Sequence, residues 1–120
     1  MAQGARLEAL LREDALTGLL NRRAMRAHLR AEDQLGRLGG EEFLMLLPDT
    51  ASAAARRVAD KLRSEVAQAP APVPVTVSVG VATCARETPE ELLRRADAAL
   101  YRAKEAGRDR VMAATLHGRT

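Results

Sequence analysis

The chain has almost no aromatic residues, and this excludes an aromatic core. Phe43 and Tyr101 are the only two, tryptophan is absent, and aromatic residues make up 2% of the 120 residues. Apolar residues still reach 47% and charged residues 29%, a composition that argues against intrinsic disorder. The length is near the commonest domain size, so we expect one domain with a core of leucine, valine and alanine.

Cysteine and long apolar runs are equally scarce. Cys84 is the single cysteine, which excludes an internal disulfide and offers no cysteine metal cluster. No apolar run approaches membrane-spanning length, and the first residues, MAQGARLEAL, lack the apolar region of a signal peptide. We therefore expect a cytoplasmic chain without a membrane segment.

Lysine is scarce as well, although the chain is slightly basic. Lysine and arginine total 19 against 16 acidic residues, a net charge of +3, and only Lys61 and Lys104 are lysines. The excess charge is spread along the chain and is a weak indication of any polyanion partner. The arginine guanidinium binds phosphate and carboxylate through two parallel hydrogen bonds. A GC-rich genome also explains the high arginine content.

Two helices are predicted in the first third of the chain. Three leucines at helical spacing predict a helix over residues 5–12, within an N-terminal helical linker of residues 1–13. Asn21 is then placed to cap a helix from about Arg22 to near Glu32.

A β-hairpin is predicted next, because two strand-like segments at 35–38 and 43–47 flank Gly39 and Gly40, which permit a tight turn. Pro48 should end the second strand, and Asp49 or Thr50 should cap a helix that continues to the proline-rich loop at 70–74.

The last third predicts strand, helix and strand. Residues 75–82 alternate between valines and small residues, which is typical of a strand. Thr88, Pro89 and Glu91 form a capping box for a helix that ends at Gly107. Residues 110–114 suggest a short closing strand. This order indicates an α/β or α+β fold with helices on one face of a sheet.

Four segments together resemble one family: DALTGLLNRR at 14–23, RAEDQLGRLGGEEF at 30–43, VTVSVGVA at 75–82 and ADAALYRAKEAGRDRV at 96–111. They resemble the GGDEF family, the diguanylate cyclases that condense two GTP into cyclic di-GMP and release pyrophosphate. The resemblance implies a nucleotidyl-cyclase-like domain over 14–114, with a ferredoxin-like sheet, helices packed on its faces and a tail at 115–120. It also implies a homodimer.

The hairpin turn fits the chemistry of this reaction. Two glycines allow the backbone to approach phosphate oxygens, and carboxylates hold the divalent metal that neutralises them. The resemblance makes Glu41 the metal-binding and catalytic carboxylate, with Glu42 beside it, Gly39 and Gly40 at the phosphates, and Mg²⁺ or Mn²⁺ as cofactor. The local sequence alone favours an exposed hairpin with two solvated acids.

Two further sites come from the resemblance. Lys104 and Arg108 match the residues that hold the GTP phosphates, although each alone fits a cation at a helix C-terminus. Arg30 and Asp33 match the inhibitory site that binds the product cyclic di-GMP, and Lys61 matches a basic residue that supports it from a second surface. Arg30 and Asp33 alone fit a solvated ion pair of small value.

The chain departs from the family pattern between Leu29 and Arg30. The family's central strand, which carries an Asp-x-Asp metal motif, is absent there, and no substitute carboxylate beside an apolar strand was identified. Glu41 alone cannot make a two-metal clamp, so catalysis should fall by orders of magnitude, and the sheet should be left with unpaired edges. A degenerate natural protein, an engineered deletion and an omitted internal segment all remain open explanations.

The leading hypothesis is a GGDEF domain of cyclic di-GMP signalling, with impaired catalysis and a retained product site. One alternative is a non-catalytic module that dimerises or relays a signal through the helix at 5–12. Another is an RNA-binding ferredoxin-like domain, disfavoured because residues 75–82 offer no aromatic side chain on which bases stack. We expect neither a nucleic-acid partner nor a sensory domain in this chain.

Overall fold

The computed structural model describes residues 6–13, 26, 29–39, 42–68, 75–84 and 88–114, with backbone only at 6–13 and 37–39. Within these residues, five strands form one sheet in the order β2-β3-β1-β4-β5, and two long helices pack against it. The elements are β1 (Arg6–Glu13), β2 (Gln34–Gly39), β3 (Glu42–Pro48), α1 (Ser52–Gln68), β4 (Val77–Thr83), α2 (Pro89–Glu105) and β5 (Val111–Ala113). The mixed α/β class expected from the sequence is confirmed.

The helix predicted over residues 5–12 is wrong, because Arg6–Glu13 form β1 at the centre of the sheet. β1 pairs antiparallel with β3 on one side and with β4 on the other. Leu7, Ala9 and Leu11 stand in register with the buried residues of β3. Pairing on both edges overrides the helical spacing of the leucines, and it fills the position expected to be empty in the sheet.

The predicted hairpin is confirmed. β2 and β3 pair antiparallel, and a register shift between Arg37 and Gly39 precedes the turn. Phe43, Met45 and Leu47 alternate with half-buried residues along β3, so one face of the strand lies in the core. The helix predicted to reach Glu32 does not do so. Arg26 is helical, but residues 29–33 form a turn, and the remaining part of that prediction lies outside the described residues.

α1 packs one face of the sheet through Ala55, Ala59, Leu62 and Val66, which meet the odd-numbered valines of β4 and the buried face of β3. The predicted cap at Asp49 or Thr50 is wrong. The helix begins at Ser52, and the Thr50 hydroxyl donates to the Pro48 carbonyl at 3.0 Å instead of accepting from a helix N–H.

α2 covers the opposite face, so the helices lie on both faces of the sheet, as the resemblance implied, and not on one face. Val77 to Ala82 are all buried because α1 covers the valines and α2 covers the small residues. A Cβ on Gly80 would lie 2.3 Å from the Ala96 carbonyl oxygen, so only glycine lets strand and helix approach this closely.

The capping box of α2 is confirmed. The Glu91 amide donates to Thr88 Oγ1 at 3.2 Å, and the Thr88 amide donates to Glu91 Oε1 at 3.0 Å. The helix caps at Ala106, and Gly107 follows with φ of +122°. β5 then runs parallel to β4 at the edge of the sheet, as predicted.

Leu100 lies in the core, whereas the neighbouring Tyr101 does not. The Tyr101 side chain lies on the outer surface of α2 with 60% of the residue exposed. Within the described residues, neither helix is long and apolar enough to cross a membrane.

Candidate functional site

One end of the sheet brings together the hairpin turn and the loop after α2. Arg12 of β1 is in register with Glu42 on one side and with Ser78 on the other. The amide of Asp109, in the loop after α2, donates to Ser78 Oγ at 3.2 Å. Two strand spacings, roughly 10 Å, therefore separate the start of β3 from the strand that holds this loop.

The centre of the turn, Gly40 and Glu41, lies outside the described residues. Gly39 ends β2, and Glu42 begins β3 with a half-buried side chain. The antiparallel pairing of β2 with β3 is the one that the hairpin prediction requires. The predicted roles of Gly40 and Glu41 remain predictions.

Glu13 is a carboxylate residue that the sequence argument overlooked. It ends β1, in register with Val77 and next to the Arg12–Glu42 pair, at the same end of the sheet as the turn. The error follows from the predicted helical linker at 1–13, which removed those residues from the search for acids beside an apolar strand. The alternating pattern Leu7, Ala9, Leu11 was the available signal for a strand.

These acids do not amount to a metal centre within the part of the chain that the structure describes. No group of three or more histidine, cysteine, aspartate or glutamate side chains lies close enough there to hold an ion. Divalent metals in phosphoryl-transfer sites need several hard oxygen ligands. Glu42 alone does not supply them.

Lys104 and Arg108 lie at the C-terminal end of α2, where the backbone takes an unusual course. Gly107, Arg108 and Asp109 all have positive φ, at 122°, 64° and 47°. The Arg108 amide donates to the Ala103 carbonyl at 2.9 Å, so the loop folds back on the last helical turn. Lys104 is half-buried and Arg108 is exposed.

Arg63 of α1 ties this loop to the other helical layer. Its Nη1 donates to Asp109 Oδ1 at 2.9 Å, and its Nε donates to Asp60 Oδ1 at 3.0 Å. Hydrogen bonds to Asp109 and then to Asp60 hold the pKa of Arg63 above its ordinary value. Asp109 thus bridges β4 and α1 beside the predicted phosphate-binding Arg108.

Arg30 and Asp33 meet in the turn before β2. Arg30 Nη2 lies 2.7 Å from Asp33 Oδ1, and the Arg30 amide donates to Asp33 Oδ2 at 2.8 Å. Nη2 also donates to the Pro48 carbonyl and to Thr50 Oγ1, each at 2.9 Å. The pair therefore fastens the turn to the end of β3, and the Asp33 side chain is only 3% exposed.

This geometry sets the charge state of the pair. Burial pushes the pKa of Asp33 upward, but hydrogen bonds from the Arg30 side chain and backbone, together with its charge, hold that pKa below its usual range. The hydrogen bonds with Asp33 raise the pKa of Arg30. Both groups are charged at neutral pH.

The Arg30–Asp33 pair and the signature turn lie at opposite ends of the hairpin. Lys61 lies apart from the pair. The six residues of β2 separate Asp33 from the turn by roughly 20 Å. A cavity of about 440 Å³ borders Arg30 and Asp33, whereas Lys61 lines a different one on α1. Among the described residues, Lys61 therefore does not line the cavity beside the pair.

Comparison with known proteins agrees with this layout. The profile of the diguanylate cyclase GGDEF domain matches residues 23–110. The chain belongs to the GGDEF family. The diguanylate cyclase DgcP of Pseudomonas aeruginosa is 43% identical over 95 residues, covering 72% of this chain and 14% of DgcP. The response regulator PleD of Caulobacter vibrioides is 41% identical over 114 residues, covering 88% of this chain and 24% of PleD.

Solved GGDEF structures share the fold. The GGDEF domain of DgcB from Caulobacter crescentus, in complex with c-di-GMP, superposes with a TM-score of 0.85 at 26% identity, covering 91% of this chain and 77% of that one. Diguanylate cyclase SiaD of Pseudomonas aeruginosa, in complex with its activator SiaC, has a TM-score of 0.82 at 35% identity, covering 92% and 50%. The chain spans only about a seventh to a quarter of the curated relatives described above.

Proposed function

We propose that this chain is the cyclic di-GMP signalling domain of a diguanylate cyclase-type protein, beginning at β1. The family assignment supports the reaction class, in which two GTP give cyclic di-GMP and two pyrophosphates. The single observation that carries the proposal is the row of Glu42, Arg12 and Ser78, which sets the signature turn and the Arg108 loop at one end of the sheet.

In this proposal GTP binds at the end of the sheet marked by Glu42, Arg12 and Ser78. Gly39 and Gly40 give the backbone close access to phosphate oxygens, and Lys104 and Arg108 neutralise the phosphates from the loop after α2. Mg²⁺ or Mn²⁺ is the family's cofactor, and Glu41 is its proposed ligand. Because the described acids do not make a metal centre, we assign no step to the ion.

The proposed domain is a poor catalyst. β1 has the sequence RLEALLRE, so it fills the centre of the sheet without an Asp-x-Asp motif. Transfer to an α-phosphorus depends on metal that stabilises both attacking and leaving oxygens. Glu13 is the acidic residue of β1 nearest the turn by register. One carboxylate there does not replace the two of an Asp-x-Asp motif.

The proposed product site is the Arg30–Asp33 turn. The cavity beside it is lined by Arg26, Leu29, Gln34 and Leu35 as well as by the pair. An arginine fork can bind a phosphate or the Hoogsteen edge of guanine, and a carboxylate can accept from guanine nitrogens. Since Arg30 already donates to Pro48 and Thr50, the ligand must either displace these contacts or use the remaining face of the fork.

Calorimetry with cyclic di-GMP tests the product site. The unchanged chain should release or absorb heat on titration, and Arg30→Ala should weaken the affinity at least about tenfold because a charge-assisted contact is lost. Arg94→Ala, which removes an exposed arginine from α2, is the matched control. Absence of binding by the unchanged chain, at high protein concentration as well, contradicts this part of the proposal.

Incubation with GTP and Mg²⁺, followed by chromatography of the products, tests the catalytic part. We expect no more cyclic di-GMP than Glu41→Ala produces. Rapid, Glu41-dependent product formation would overturn the claim of impaired catalysis while leaving the family assignment intact.

The homodimer and a cytoplasmic location belong to the same proposal, because two bound GTP must meet and GTP is supplied in the cytoplasm. Signal relay through a helix at 5–12 is not carried forward, since Arg6–Glu13 form β1. The proposal includes no nucleic-acid partner.

A further inference from the structure

The loop after α2 has a strained backbone at the residue proposed to bind the GTP phosphates. Gly107, Arg108 and Asp109 take positive φ in succession, and the last two carry a Cβ. Such a conformation is unfavourable for residues other than glycine, and it persists only where the surrounding structure holds it. The contacts that hold this loop therefore decide where the Arg108 side chain is presented.

The backbone of Arg108 is tied to residues close to it in sequence. Its amide donates to the Ala103 carbonyl at 2.9 Å, and its carbonyl accepts from Arg110 Nε at 2.9 Å. These two bonds fix the bend relative to the last turn of α2. They do not attach the loop to the other helical layer.

Asp109 makes the long-range side-chain contacts of the loop. Its amide donates to Ser78 Oγ at 3.2 Å, and Ser78 is buried in β4. Its carboxylate accepts from Arg63 Nη1 of α1 at 2.9 Å. The bond to Ser78 joins two neutral groups, whereas the bond to Arg63 is charge-assisted and of the stronger kind. Arg63 is therefore the stronger of the two anchors.

Arg63 is itself held in the orientation that this contact needs. Its Nε donates to Asp60 Oδ1 at 3.0 Å, one turn earlier in α1, while Nη1 reaches Asp109. Only 22% of the Arg63 side chain is exposed. The planar guanidinium fixes the relative directions of its donors, so the bond to Asp60 sets the direction in which Arg63 meets the loop.

We propose that Arg63 is a positioning residue for the GTP phosphates, because through Asp109 it keeps the loop in the conformation that presents Arg108. The inference rests on the proposed function, since it requires that Arg108 binds the nucleotide. Arg63 acts on the loop and makes no contact with the nucleotide. When a binding-competent conformation is only partly populated, the apparent affinity falls by the same fraction.

The test is calorimetric titration of the full chain with the Mg²⁺ complex of α,β-methylene GTP, an analogue that cannot release pyrophosphate. Arg63→Ala should weaken the affinity roughly tenfold, the equivalent of one charge-assisted hydrogen bond lost from the loop. Asp109→Asn should stay within about twofold, because the asparagine oxygen still accepts from Arg63 and asparagine tolerates the left-handed conformation. Arg94→Ala, at an exposed position of α2, is the control.

A double-mutant cycle separates positioning from a general structural role. In the Arg108→Ala background, Arg63→Ala should cause little further loss of nucleotide affinity, because the side chain that it positions is gone. Its effect on the urea midpoint should be the same in both backgrounds. Arg63→Lys repeats the cycle with a cation that lacks the planar fork, and circular dichroism should show that the variants are folded.

Two results overturn the inference and leave the proposed function standing. One is weaker binding by Arg108→Ala with unchanged binding by Arg63→Ala and Arg63→Lys. The other is an equal further loss from Arg63→Ala in the Arg108→Ala background, which would mean that Arg63 acts independently of Arg108. Unchanged binding by Arg108→Ala, or no binding by the unaltered chain, contradicts the proposed GTP site and the inference together.

Discussion

The Asp33 carboxylate is almost inaccessible to solvent and is paired with the charged side chain of Arg30. Its side chain is 3% exposed and accepts hydrogen bonds from the side chain and the amide of Arg30. Because Arg30 also reaches Pro48 and Thr50, one ion pair links the turn, the end of β3 and the segment before α1. Such a pair has a structural role whether or not a ligand binds. Its charge should make the unfolding free energy of the domain depend on pH.

Asp33→Asn should therefore be destabilising, by an amount that depends on pH. A carboxylate whose pKa is lower in the folded state adds stability above its unfolded pKa, which is about 4, and that stability is lost as pH falls through the folded value. Urea unfolding at pH 7, 4 and 3 should show the gap between the two proteins closing at low pH. A gap of constant size would contradict the account. Asp97→Asn, at an exposed position of α2, is the control.

Close packing of β4 against α2 requires glycine at position 80. Its missing Cβ would lie 2.3 Å from both the Ala96 oxygen and the Leu100 nitrogen, which are backbone atoms that cannot rotate away. Gly80→Ala should cost at least about 2 kcal/mol of unfolding free energy, because α2 must move off the sheet. Gly36→Ala is the matched control, since nothing lies within 4 Å of its added Cβ. Equal denaturation midpoints for the two variants would refute the close contact.

At the scale of elements, the sequence predicted the helices and strands that depend on interactions between neighbouring residues. The capping box of α2 and the alternation of β4 follow from neighbouring residues, and both were predictable from sequence. The bridge between Arg63 and Asp109 joins residues 46 positions apart, so no spacing rule indicates it. β1 was missed because leucine, alanine, glutamate and arginine favour helix, and only pairing with β3 and β4 makes the segment a strand.

The loop after α2 provides a test at this scale. Asp109 has φ of 47°, pairs with Arg63 and holds its amide on Ser78. Asp109→Ala should cost about 1–2 kcal/mol, because it removes the ion pair and puts alanine in a left-handed conformation. Asp109→Asn should stay within about 0.5 kcal/mol, since asparagine tolerates that conformation and its amide oxygen still accepts from Arg63. Thermal unfolding measures both, and equal losses would contradict this role.

For the whole molecule, the position of β1 decides how the other parts are arranged. β3 and β4 do not pair with each other, and β1 lies between them. The signature turn and the Arg108 loop share one end of the sheet only because Arg12 is in register with both Glu42 and Ser78. The family likeness could be read from motifs, but the place of this replacement strand in the sheet could not, because its partners are distant in sequence.

Nuclear magnetic resonance of the full chain tests this claim most directly. The account predicts cross-strand contacts from Leu10 to Leu44 and from Leu10 to Gly80, with amide exchange in β1 as slow as in β4. Rapid exchange throughout residues 6–13, together with direct contacts between β3 and β4, would contradict it.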